Sequence, residues 1–118
     1  MRSISDYINE ARIQAGPVEI EYTPKDRDEL IAAIKEVAKA QSRRKVLNFN
    51  CIGTRLVQNM GSVFPMALIT MQAQKKKDFL VDQWDVSNVN NFSNMFWQCA
   101  GFTGKGLEDW KVSSKCKD

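Results

Sequence analysis

WDVSNVNNFSNMF, residues Trp84 to Phe96, is written twice more in this chain, each time less completely. Downstream, Trp110 opens WKVSSK 26 residues on (84 to 110), setting Trp84 against Trp110, Val86 against Val112 and Ser87 against Ser113. Upstream, IGTRLVQNMGSVF (Ile52 to Phe64) fits the same frame 32 residues earlier (64 to 96). It pairs Val57 with Val89, Asn59 with Asn91, Ser62 with Asn94 and Phe64 with Phe96. Self-similarity at a period of about twenty to thirty residues is the mark of stacked repeats, in which each unit buries its apolar face on its neighbour. Such arrays present surfaces more often than they catalyse, so the pattern implies a binding protein.

Spelled out, the repeat is W-D-V-S-N-V-x-N-F-S-x-M-F-x-x-C-x-x-F-x-G-x-G-L-x-x-W, carried by Trp84 to Val89, Asn91 to Ser93, Met95, Phe96, Cys99, Phe102, Gly104, Leu107 and Trp110. This wording resembles the BspA-like leucine-rich repeats of bacterial surface proteins and of phage and prophage proteins. The likeness is close over residues 84–115 and loose over 47–64, where Gly53, Arg55 and Leu56 replace the family's acidic residue and Ser-Asn. It implies short stacked strands and turns around a shared core, with Cys99 at a core position and the outer surface used for protein–protein contact. The fold class expected is α/β: an N-terminal helix-strand-helix-strand cap over residues 1–46, followed by a short leucine-rich-repeat-like solenoid over 47–118. That solenoid holds about two and a half degenerate units, with an irregular insertion at 65–83.

Length and composition agree with one domain. The 118 residues allow a modest core, and 43% hydrophobic with 26% charged residues are ordinary globular values. A net charge of +3 is weak, and much of it lies in Arg43-Arg44-Lys45, in Lys75-Lys76-Lys77 and around Lys111, Lys115 and Lys117. Such runs are more often solvated loops than sites, and nucleic-acid contact is left open. Cys51, Cys99 and Cys116 are too few and too scattered for a disulfide framework or a CxxC metal pair. Histidine is absent, which removes Ser/His, Cys/His and most zinc chemistry. No catalytic, metal or cofactor residues are assigned. Neither a signal peptide nor a membrane-spanning run is visible, since the longest apolar stretch, VFPMALITM (Val63 to Met71), is short and carries Pro65. The location expected is cytoplasmic.

Along the chain, residues 3–14 read as an amphipathic helix with Ser3 or Ser5 as cap and a stripe of Ile4, Tyr7, Ile8, Ala11 and Ile13. Gly16-Pro17 stops it, and VEIEY (Val18 to Tyr22) alternates like a half-buried strand. Thr23 caps the next helix, Pro24 suits its first turn, and Asp26 and Asp28 favour its positive end. Leu30, Ile31, Ile34, Val37 and Ala38 form its apolar stripe, and VLNFN (Val46 to Asn50) is a second strand. The expected repeat core is Val86, Val89, Phe92, Met95, Phe96, Phe102 and Leu107, while Asn88, Asn90, Asn91, Ser93 and Asn94 satisfy the turn backbone. Within 65–83, Met66, Leu68, Ile69 and Met71 either complete the core or form an adaptable surface.

The candidate sites each have a plain structural alternative. Glu19 with Glu21, and Asp26, Asp28 and Glu29, read as capping and solvated carboxylates rather than acid/base pairs, and Asp85 and Asp109 as turn caps. GFTGKG (Gly101 to Gly106) lacks the spacing of a phosphate loop. MRSISDYINEAR resembles the leaders of proteins that some tailed phages package in their capsids, with Ile8-Asn9-Glu10 as the triplet before the cut; a capping helix is the alternative. The function expected is a non-enzymatic protein–protein interaction module binding a bacterial or host protein, in its most specific form a phage or prophage inhibitor of anti-defence type. Trp84, Trp97, Trp110, Lys75, Lys76 and Lys77 are its expected contact residues. An open repeat end also allows self-association. The alternative is a small basic nucleic-acid-binding accessory protein using Arg43, Arg44, Lys45 and the lysine run.

Overall fold

In the computed structural model, residues 19–112 are described. The expected helix over 3–14, its leader-like triplet, Val18, Cys116 and the repeat position at Ser113 lie outside them.

The clearest element is α1, Arg27–Ala40. Leu30, Ala33, Ile34, Val37 and Ala38 recur at helical spacing and are buried. Burying each of the Leu, Ile and Val side chains contributes about 1.5–3 kcal/mol. The N-cap is Asp26, three residues later than the expected Thr23. The Asp26 side chain accepts from the Glu29 backbone N–H at 2.9 Å, and Glu29 in turn accepts from the Lys25 N–H at 2.9 Å. These two bonds favour the later start over Thr-Pro because they satisfy two backbone donors at once, those of Glu29 and Lys25. At the other end Gln41 clamps the next strand, its side chain donating to the Asn48 carbonyl at 2.9 Å and accepting from the Asn48 N–H at 2.8 Å.

Strand β1 (Val46–Asn48) pairs in parallel with β2 (Asp78–Leu80), Val46 opposite Asp78 and Leu47 opposite Phe79. Every pair in this ladder is separated by 32 residues, and the spacing persists beyond it. Asn59 and Asn91 form a parallel bridge, Asn50 donates from its side chain to Asp82, and the Phe64 and Phe96 rings stack at 5.6 Å. Local turns repeat at the same interval. The N–H groups of Ile52 and Trp84 donate to Phe49 and Val81, and those of Val57 and Val89 donate to Thr54 and Val86. Ser62 and Asn94 share a left-handed backbone, with φ of 56° and 55°. Further upstream, residues 19–22 of the expected strand make one bridge, Tyr22 to Ile52, rather than a strand.

Residues 65–83 are not irregular throughout. They hold the end of α2 (Val63–Ala67), all of α3 (Gln72–Lys75), and β2, which is in register. The extra length lies between Phe64 and Asp78. It packs back on the body: α2 lies against α1, and the buried Gln74 side chain donates to the Ala38 carbonyl at 2.6 Å. Leu68 is buried and Met71 half-buried against the core, whereas Met66 and Ile69 are exposed.

The core is an aromatic column. Phe64 stacks on Phe79 at 4.4 Å, Phe79 on Phe102 at 4.2 Å, and Phe102 on Phe96 at 4.4 Å. Val86, Val89, Met95 and Cys99 are buried beside it, and Phe92, Phe96, Phe102 and Leu107 pack against it partly exposed. Asn91 accepts from the Ser93 N–H and Asn88 donates to the Arg55 carbonyl, the turn role expected of them.

Candidate functional site

The three tryptophans, alike in sequence, separate in space. Trp84 is 4% exposed, and its indole N–H donates to the Phe49 carbonyl at 2.8 Å. Trp110 is half-buried, donates to the Val81 carbonyl at 2.8 Å, and stacks on Phe92 at 5.7 Å. Both are packing residues whose polar handle is spent on the main chain, so Trp84 and Trp110 are not the exposed contact residues expected of them. Trp97 is 60% exposed. It follows Phe96 of the aromatic column and precedes Gln98, which adopts a left-handed backbone (φ 57°). The turn thus anchors one ring in the core and turns the next residue outward.

The lysine run is placed by contacts of its own. Lys75 donates to the Gln98 side chain at 3.3 Å, beside Trp97, and Lys77 donates to the Ser42 carbonyl at 2.8 Å, beside Arg43. Only Lys76 is fully exposed. Gly101 shows how closely the segments run: a Cβ there would lie 2.0 Å from the Lys76 carbonyl oxygen, so only glycine lets the two backbones pass. Lys75–Lys77, Arg43–Lys45 and the turn through Trp97 to Gly101 therefore form one surface.

The nucleic-acid alternative used both basic runs, but not the interval that relates them. In sequence, Arg43, Arg44 and Lys45 precede Lys75, Lys76 and Lys77 by the same 32 residues, and the paired strands begin at the next residues, Val46 and Asp78.

The remaining polar groups have structural work. Asp85 accepts from the Ser87 hydroxyl at 2.6 Å and from the Ser87 N–H at 3.0 Å. These bonds, and to a lesser degree Arg55, hold its carboxyl below the ordinary aspartate range. Burial raises the Cys99 thiol, and burial with the nearby Glu21 carboxylate raises Cys51, so both favour the neutral form. An open cleft of about 400 Å³ beside α1 is lined by Tyr22, Glu21, Glu29 and Glu36. Gly104 and Gly106 take positive φ angles of 78° and 92° that shape the turn before Leu107. Among the described residues no group of carboxylates and thiols is placed to hold a metal ion, and no helix is long and apolar enough to cross a membrane.

A family model described as Mycoplasma protein of unknown function, DUF285, matches residues 33–117. This family is associated with BspA-like repeat proteins. Comparison with curated proteins gives no match, and neither does comparison with solved structures.

Proposed function

The chain belongs to this DUF285 family, and on that footing we propose that it is a non-enzymatic protein-interaction module. We read its backbone as a short BspA-like solenoid of leucine-rich-repeat type, behind an α/β cap that includes α1. The 32-residue register from Val46 to Phe96 supports that reading. The contact surface is the face around Trp97, flanked by the lysine run.

The observation that carries this is the contrast among the tryptophans. Trp84 is buried and Trp110 half-buried, both with their N–H groups bonded to the main chain, while Trp97 leaves 60% of its surface to solvent. An exposed tryptophan on a turn whose neighbour is anchored has the rigidity and area of a binding hot spot. Its partner in this proposal is a bacterial or host protein. In the most specific form the chain is a phage- or prophage-encoded inhibitor acting in the cytoplasm; that form rests on family resemblance.

The test is a cross-linking capture from bacterial lysate with wild type, Trp97→Ala and Trp97→Phe. Recovery of one partner by wild type and Trp97→Phe, at least tenfold reduced in Trp97→Ala, is the expected result. Equal recovery by all three removes the proposed face. A second reading, nucleic-acid binding, is favoured by the merged basic runs and predicts gel shifts that weaken steeply with salt.

A further inference from the structure

The pairing of β1 with β2 brings two basic runs together at one end of the sheet, where Lys77 reaches the Ser42 carbonyl. Arg43, Arg44 and Lys45 lie one repeat from Lys75, Lys76 and Lys77, at the leading ends of strands paired Val46 to Asp78. Lys77 is drawn to the Ser42 carbonyl and Lys75 to Gln98, whereas Arg43, Arg44, Lys45 and Lys76 are exposed. The nearest carboxylate in sequence, Asp78, accepts from the hydroxyl and N–H of Thr103, at 3.0 Å each.

We infer that this patch receives an acidic segment of the partner polypeptide, with carboxylates at Arg43, Arg44, Lys45 and Lys76 and an apolar side chain on Trp97. This deepens the interaction-module reading and rests on it. The partner's chemistry follows from the composition of the surface. Single-stranded nucleic acid is held by a cationic groove with several aromatic platforms. Here Phe49, Phe64, Phe79 and Trp84 are buried, Phe96 and Phe102 are half-buried in the stack, Trp97 is the one exposed aromatic side chain among the described residues, and the exposed apolar residues of the neighbouring 65–77 segment are the aliphatic Met66 and Ile69. An aromatic centre with a charged rim is the anatomy of a protein interface, where rim charges steer encounter and choose the partner.

The experiment uses the full chain and four fluorescent probes: a short Glu-rich peptide carrying Leu and Phe, the same peptide with every Glu replaced by Gln, oligothymidylate of equal length, and phosphatidylserine vesicles. The acidic peptide is expected to bind at least about tenfold more tightly than its Gln counterpart. That preference should be lost in Arg44→Glu/Lys76→Glu, whose circular dichroism and melting curve serve as the folding control. Tighter binding of oligothymidylate or vesicles, equal binding of the two peptides, or no binding of any probe overturns the inference. Binding of the two peptides with equal affinity, abolished by Trp97→Ala, would overturn the acidic partner alone and leave the interaction face standing. Binding indifferent to Trp97→Ala counts against the face itself.

Discussion

Trp84 and Trp110 make the same bond one repeat apart. Each indole N–H reaches a main-chain carbonyl at 2.8 Å, Trp84 that of Phe49 and Trp110 that of Val81, and those two carbonyls are themselves 32 residues apart. Each ring thus ties its own turn to the segment before it while filling space beside the aromatic column. Trp84 and Trp110, expected among the contact residues with a share in the core as the alternative, take the buried and the half-buried place, as suits a side chain that is both large and capable of donating one hydrogen bond. Inside a protein that combination is satisfied by a backbone acceptor.

Replacing Trp84 with Phe keeps the aromatic body but removes the donor and part of the volume. The Phe49 carbonyl retains the Ile52 N–H, so the loss is that of one hydrogen bond and a small cavity, about 1–2 kcal/mol. Trp110→Phe, half-buried, should cost less, and Trp97→Phe should stay within about 0.5 kcal/mol of wild type. Urea unfolding midpoints of the three variants check the order.

Gly101→Ala, although it adds a single methyl group, should be more damaging than any of the three tryptophan replacements. The added carbon meets the Lys76 carbonyl oxygen and carbon and the Lys77 carbonyl carbon, all backbone, so one of the two segments must move. A cost of about 3 kcal/mol is expected, at the upper end for overpacking. The same displacement should separate Lys75 from Gln98, which a change in the Trp97 fluorescence of a Trp84→Phe/Trp110→Phe background would report.

Asp85 gives the fold a defined acid sensitivity. Its carboxyl is held low by the Ser87 hydroxyl and N–H, so the folded state binds a proton less readily than the unfolded chain. For a depressed carboxylate, stability is present above the unfolded value, about pH 3.9, and is lost as pH falls through the lower folded one. Ser87→Ala should reduce stability at neutral pH and flatten the decline below about pH 4. Urea titrations of wild type and variant at matched pH decide it; parallel acid limbs would show that the pair contributes nothing.

How much of this was legible follows from what each residue encodes locally. The stripe Leu30, Ile34, Val37 and Ala38 needs only helical spacing to be read, and it is buried as spaced. Asn59 opposite Asn91 was equally readable, because a turn that bonds its own Asn side chain to the N–H two residues on demands that residue in both units. Leu47 opposite Phe79 was not, since a buried strand position asks only for an apolar side chain and tolerates different ones. The helix start at Asp26 depended on which of several capping residues won. Exposure of Trp97 against burial of Trp84 depended on the left-handed turn at Gln98, which no glycine announces. The meeting of Arg43–Lys45 with Lys75–Lys77 required knowing that the extra length between Phe64 and Asp78 folds back on α1 rather than displacing β2.

The regular interval between bonded partners has a bearing on how the molecule comes apart. When links reach mainly to the adjoining unit, loss of the final turn around Trp110 need not release Phe49 or Leu47, and amide exchange should grade along the chain instead of rising everywhere together. Protection is then deepest where α1 packs on α2 and β1 pairs with β2, and thinnest from Thr103 to Val112.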